Sequence, residues 1–349
     1  MSALSLARGL GLNCELGVDL GTSNVAIYVR GRGIALREPC VVAVSKDTGA
    51  VLAAGEEARQ MLGRTPASVI ASRPLRDGVV ADFTIAHKML KHLFRRVCGR
   101  RLMKPVAVLA VPSDATSVER RAVLEAATAA GAKRALPLEG SVAAAIGAGL
   151  PVMGATGSLV VTIGGGVTDI AVVSLGGIVV SDCVRVGGEK MDEILVRHLK
   201  REHNLMIGER TAEEIKIAIG SAWPLEEQRE MAARGRDLVT GLPKTVVINS
   251  TEVCEALSEV VVLIVERIKA LLENTPPELA ADIIDHGITL AGGGALLRGL
   301  DQRIAHHTQV PVRVADDPTS CVAIGAGHYL DLMKNLPPPR ATAWRMEAG

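Results

Sequence analysis

Residues 159–170 read Leu159-Val160-Val161-Thr162-Ile163-Gly164-Gly165-Gly166-Val167-Thr168-Asp169-Ile170. The stretch opens as an apolar strand, breaks at three consecutive glycines and resumes as an alternating strand through Ala171-Val172-Val173. Without Cβ atoms the glycines let the backbone reach φ > 0 and leave its N–H groups unobstructed. Such a hairpin turn is a cradle for an anion, although many glycine-rich turns bind nothing. The pattern recurs at Asp19-Leu20-Gly21-Thr22-Ser23-Asn24, between the strands Leu16-Gly17-Val18 and Val25-Ala26-Ile27-Tyr28-Val29. A third junction, Ile288-Thr289-Leu290-Ala291-Gly292-Gly293-Gly294-Ala295-Leu296-Leu297, is expected to run from strand into helix. That arrangement suits a phosphate or ribose near a helix N-terminus.

The rest of the chain bounds what these turns can belong to. A length of 349 residues implies two domains. Hydrophobic residues make up 48% but aromatics only 2%, so the cores must be aliphatic. A net charge of +1 gives no bulk attraction for nucleic acid, and two each of Phe, Tyr and Trp give no stacking platform for single strands. The cysteines Cys14, Cys40, Cys98, Cys183, Cys254 and Cys321 are scattered, as expected for buried free thiols in a reducing compartment. No apolar run approaches a membrane span, and the first residues lack an export signal, so a cytoplasmic location is expected.

Two hairpin turns in successive halves plus a late Gly-Gly-Gly resemble the actin-like ATPase fold. Longer runs narrow the resemblance. Gly208-Glu209-Arg210-Thr211-Ala212-Glu213-Glu214-Ile215-Lys216, Gly235-Arg236-Asp237-Leu238-Val239-Thr240-Gly241-Leu242-Pro243-Lys244 and Thr275-Pro276-Pro277-Glu278-Leu279-Ala280-Ala281-Asp282-Ile283-Ile284-Asp285 are similar to those of the MreB family of bacterial actins. The similarity spans roughly residues 15–332. It implies an α/β fold of two ribonuclease H-like domains flanking a nucleotide cleft, each with a small inserted subdomain. Domain I would cover residues 15–150, with subdomain IB at about 38–73. Domain II would cover 151–332, with subdomain IIB at about 190–249. The tails, 1–14 and 333–349, fall outside; residues 1–14 and the Pro-rich 337–349 are expected to be disordered.

By the same resemblance the chain would bind ATP or ADP with Mg²⁺ and polymerise, alone or with paralogues. Its filaments would lie on the inner face of the cell membrane, where membrane-bound cell-wall synthesis proteins are the implied partners. Gly21, Thr22, Ser23 and Asn24 would cradle phosphate together with Gly164, Gly165 and Gly166, and Gly292, Gly293, Gly294 and Ala295 would complete the nucleotide contacts. Asp19 would hold Mg²⁺ through water, although an aspartate there could simply cap the turn. Glu213, Glu214 and Lys216 lie on a helix implied to face the adenosine; Glu213 and Lys216, on one helix face, also have the spacing of a surface ion pair. Thr211 and Glu214 have capping-box spacing, as do Thr116 and Glu119. Arg100-Arg101-Leu102-Met103-Lys104 sets two large apolar side chains among cations. They either tuck into the core or, as the resemblance implies, insert into membrane.

The sequence departs from the family at two places. The family's Glu-Glu-Pro appears as Glu139-Gly140-Ser141, and its Val-Asp-Ile-Gly-Gly-Gly-Thr-Thr-Glu as Val161-Thr162-Ile163-Gly164-Gly165-Gly166-Val167-Thr168-Asp169. Both carboxylates expected to position water and metal are absent, at Gly140 and Thr162. A threonine hydroxyl hydrogen-bonds water but cannot act as a base near neutral pH. Thr162 and Glu139 remain the candidates for the catalytic place, and hydrolysis is expected to be slow or absent. Two rivals share the superfold. A small-molecule kinase needs a substrate base that the sequence does not offer, and a chaperone ATPase needs a substrate domain after the last helix.

Overall fold

The structure, a computed structural model, describes residues 14–99 and 104–335. The apolar runs around the two hairpin turns fold into two five-stranded sheets of one layout. In the first half, β1 (Glu15–Leu20), β2 (Asn24–Val29) and β3 (Gly33–Pro39) form an antiparallel meander. The chain then makes β4 (Val42–Ser45), β5 (Val51–Ala54), helix α1 (Glu56–Met61) and β6 (Val69–Ser72), whose strands form a separate small sheet in the order β5-β4-β6. A short hairpin, β7 (Leu75–Arg76) and β8 (Val79–Val80), leads to α2 (Phe83–Cys98). Next come β9 (Val106–Val111), α3 (Ser117–Ala129), β10 (Arg134–Glu139) and α4 (Gly140–Gly147). β9 and β10 add parallel to the far side of β1, giving the order β10-β9-β1-β2-β3.

The second half repeats this plan. β11 (Ser158–Ile163), β12 (Thr168–Ser174) and β13 (Gly177–Val184) are the meander. The insertion comprises α5 (Gly188–His203), β14 (Leu205–Met206), α6 (Glu209–Ile219), β15 (Glu230–Asp237) and β16 (Pro243–Asn249). After it come α7 (Ser250–Glu273), α8 (Pro277–His286), β17 (Ile288–Ala291), α9 (Leu300–Thr308), β18 (Val312–Val314) and α10 (Cys321–Asn335). The second sheet runs β13-β12-β11-β17-β18. Every residue of β12 is buried, as a strand covered on both faces requires.

Each half has its own aliphatic core, and a third cluster joins them. It contains Val142, Ala143, Ala144 and Ala145 of α4, Val160 and Ala171 of the second sheet, and Cys321, Val322 and Ala326 of α10. The two helices cross with backbones nearly in contact. A Cβ at Gly147 would stand 1.9 Å from the Cys321 carbonyl oxygen, and one at Gly325 would stand 1.8 Å from that of Ala143.

Several local expectations change. Ile324 to Gly327 lie inside α10, which starts at Cys321. The third glycine junction enters a single 3-10 turn, Gly293–Leu296, rather than an α-helix. The Thr116–Glu119 capping box forms, but Thr211 and Glu214 do not make one. α6 already begins at Glu209 after Gly208, and Glu214 instead pairs with Arg210 one turn back at 3.0 Å. The cap of α7 is Asn249, whose side chain accepts from the Glu252 N–H. Arg100, Arg101, Leu102 and Met103 lie outside the described residues, as do residues 1–13 and 336–349. Lys104 is described and exposed.

Candidate functional site

The pairing of Leu20 with Val25, and of Ile163 with Thr168, leaves turns of equal length between the paired strands. Both turns close alike: the Gly21 N–H donates to the Asn24 carbonyl at 3.1 Å, and the Gly164 N–H to that of Val167 at 2.8 Å. That leaves the N–H groups of Thr22, Ser23, Gly165 and Gly166 without an acceptor among the described residues. Backbone N–H groups are rarely left so unless solvent or a ligand takes them. The turns meet face to face. A Cβ at Gly165 would lie 2.0 Å from Ser23 Oγ, and one at Gly166 would lie 2.8 Å from Thr22 Oγ1.

Neighbouring elements lock this pair. The Thr22 hydroxyl accepts from the Gly78 N–H at 2.8 Å. The Gly188 and Glu189 N–H groups, at the start of α5, donate to the Gly164 and Gly165 carbonyls at 2.9 and 2.8 Å. Ser23 Oγ donates to Glu189 Oε1 at 3.0 Å across the two halves. Around the turns opens a cleft of about 1710 Å³ lined by Asp19, Gly292, Gly293, Gly294, Glu213 and Lys216. It exceeds the roughly 300–1,000 Å³ of ordinary small-ligand pockets.

Asp19 makes no hydrogen bond or ion pair among the described residues, and burial pushes its carboxyl up to about 7. A neighbouring cation would relieve that cost. Mg²⁺ keeps several waters and takes one or two carboxylates plus substrate phosphates, and a lone carboxylate beside anion-ready turns fits that donor set. The described residues contain no cluster of three or more metal-ligating side chains, so the protein alone does not build a metal cage there. Mg²⁺ held at Asp19 would neutralise charge on the terminal phosphates.

Asp169 also lines the cleft and is 5% exposed. Its Oδ2 accepts from the Ser113 N–H at 3.2 Å and from Ser113 Oγ at 3.0 Å. Burial nonetheless pushes the carboxyl up to about 7, and the nearby Asp114 and Glu139 charges add to the rise. Asp169 Oδ1 and Thr162 Oγ1 are both buried without a hydrogen-bond partner.

The structure sorts the sequence candidates. Gly21, Thr22, Ser23, Asn24, Gly164, Gly165, Gly166, Thr162, Gly292, Gly293 and Gly294 all line the cleft with Asp19. Glu213 lines it too, but its carboxylate pairs with Arg59 of α1 at 3.3 Å. Lys216 Nζ sits 2.8 Å from Asp192 Oδ1 and donates to the Gly188 carbonyl at 2.8 Å. Three candidates are engaged away from the cleft lining. Glu214 points away to Arg210. Ala295 packs into the second-half core. Glu139 is held by Arg120 at 3.0 Å, outside the cleft lining. Sequence reading missed Arg59, Arg73, Asp169, Glu189 and Asp192 as cleft residues. For the last two a signal existed: Gly187-Gly188 at a strand-to-helix junction has the same character as the other glycine turns.

A family model described as MreB/Mbl protein matches residues 13–337. The chain is 51% identical over 324 residues to the cell shape-determining protein Mbl of Bacillus subtilis (strain 168), a match covering 93% of this chain and 97% of that protein. Its fold is similar to the crystal structure of MreB5 of Spiroplasma citri bound to ADP, with a TM-score of 0.88 and 38% identity over 93% of this chain and 98% of that one. It is also similar to the MamK double helical filament, with a TM-score of 0.78 and 26% identity over 93% of this chain and 100% of that one.

Proposed function

The chain belongs to the MreB/Mbl family, and on that footing we propose that it is an ATP-binding, actin-like cytoskeletal protein. Its protomers polymerise into filaments on the inner face of the cell membrane and help determine cell shape by organising cell-wall synthesis. The observation that carries the nucleotide reading is the facing pair of turns, with four N–H groups left without acceptors above the partnerless carboxyl of Asp19. Polymerisation is supported by the likeness to MamK, described as a double helical filament. Among the described residues no helix is long and apolar enough to cross a membrane, so attachment would be peripheral.

Titration calorimetry with Mg-ATP, followed by sedimentation of the same sample, tests this reading. Saturable binding and nucleotide-dependent pelleting are expected. Gly165→Val should abolish both, because its Cβ would stand 2.0 Å from Ser23 Oγ and force the turns apart. No heat at millimolar Mg-ATP from the unaltered chain would refute the nucleotide site.

A further inference from the structure

Gly140 and Thr162, where the two usual carboxylates are missing, lie beside one buried acid. Thr162 and Asp169 are directly paired across β11 and β12, so their side chains share a sheet face about 5 Å apart. Thr162 Oγ1 and Asp169 Oδ1 are both buried, and both lack a partner. On the other side, a Cβ built at Gly140 would meet only the Val111 carbonyl oxygen at 3.4 Å and Asp169 Oδ2 at 3.8 Å. A carboxylate that grew from position 140 would therefore compete for the space next to the one that Asp169 supplies. All three residues line the cleft.

We propose that Asp169 is the carboxylate with which this chain positions and deprotonates the water that attacks the terminal phosphate of ATP. The assignment rests on the nucleotide site argued above. Ser113 fixes the carboxylate through Oδ2, and Ser141 Oγ, 3.0 Å from Ser113 Oγ, fixes Ser113 in turn. Oδ1 is left for the water, and Thr162 Oγ1 offers the same water a second hydrogen bond. Two unsatisfied polar atoms on one face are what an ordered water needs. As the water oxygen bonds to the γ-phosphorus, its proton passes to Asp169 Oδ1 and the bond from phosphorus to the bridging oxygen breaks. ADP and inorganic phosphate leave, and the carboxylic acid returns its proton to solvent. A buried carboxyl held near neutrality is matched to that task. Glu139 cannot take the place while it is paired with Arg120.

The test compares the unaltered chain with Asp169→Asn. The amide keeps the size and can still accept from Ser113, but cannot take a proton. Mg-ADP affinity is measured with and without aluminium fluoride, which mimics the transferring phosphoryl group, alongside phosphate release in single turnover. In Asp169→Asn, release should fall at least tenfold, and the affinity gained with aluminium fluoride should be lost by a similar factor. Mg-ADP affinity should stay within about twofold. In that background Gly140→Glu should restore release, since it returns a carboxylate to the same spot. Unchanged release with Mg-ADP binding intact overturns the assignment alone, as does an unaltered chain that binds Mg-ATP yet releases no phosphate. Equal losses of Mg-ADP affinity and release overturn it too, because they mark a purely structural role. Failure of the unaltered chain to bind Mg-ADP at all overturns the nucleotide site with it.

Discussion

Asp169 carries an unfavourable burial that should be visible in stability. Its folded carboxyl titrates near 7 against an ordinary value of 3.8, with burial the main cause. Between those values the folded chain keeps a proton that the unfolded chain has released, so stability falls as pH rises through the interval and levels off above about 7. The full loss is on the order of 4 kcal/mol. In nucleotide-free protein, Asp169→Asn should therefore melt several degrees higher than the unaltered chain at pH 8, with the difference shrinking towards pH 4. Thermal unfolding at the two pH values decides this. A less stable Asn variant at pH 8 would mean that the Ser113 hydrogen bonds outweigh the desolvation. A residue that weakens the fold and faces a cleft is the usual mark of function over stability.

At the scale of elements, α4 and α10 act as one joint because Gly147 and Gly325 let their backbones touch, and Ala-rich packing fills the rest. The link between α2 and β9 is where the proposed membrane contact would lie. α2 ends at Cys98, capped by Gly99 at φ 63°, and the chain is described again from the exposed Lys104. Burying Leu102 and Met103 in lipid would contribute about 1.5–3 kcal/mol each, and each cation about 1 kcal/mol near anionic headgroups. One protomer gains little from that, whereas a filament multiplies it. Filaments of a Leu102→Ser, Met103→Ser variant should lose most of their pelleting with anionic liposomes while still sedimenting with nucleotide. Undiminished pelleting would place the pair in the core.

The whole molecule is a clamp whose halves are tied across the cleft mouth. Arg59 reaches Glu213 at 3.3 Å, and Arg73 reaches Glu209 at 3.1 Å and Glu189 at 3.6 Å. These groups are partly exposed, so each pair is worth about 0–1 kcal/mol and is screened by salt. Together they should slow nucleotide escape only a few-fold. An Arg59→Ala, Arg73→Ala variant should release a fluorescent ADP analogue about 2–10 times faster at low salt, with the difference vanishing at high salt. Stopped-flow release at two ionic strengths measures this; equal rates at low salt would show that the pairs do not hold the clamp. Because Glu213 is already engaged by Arg59, any ribose contact from that residue must compete with the latch.

Local chemistry written in the chain was enough for the two hairpin turns and the capping box at Thr116. Each depends on residues within a few positions of one another: glycines that free N–H groups, a hydroxyl three residues from a glutamate. The motifs also carried the family and the positions of Asp19, Thr162 and Gly140. Which side chains are already spoken for was not legible, because ion pairs form between residues far apart in the chain. Arg120 claims Glu139 and Asp192 claims Lys216 once each half has folded, and Arg59 claims Glu213 only once the halves have packed. Asp169 was in plain view at the end of the decisive stretch, yet nothing in its neighbours along the chain marks it. Only the folding of Ser113, Thr162 and Gly140 around it strips away its water and leaves one oxygen buried without a partner.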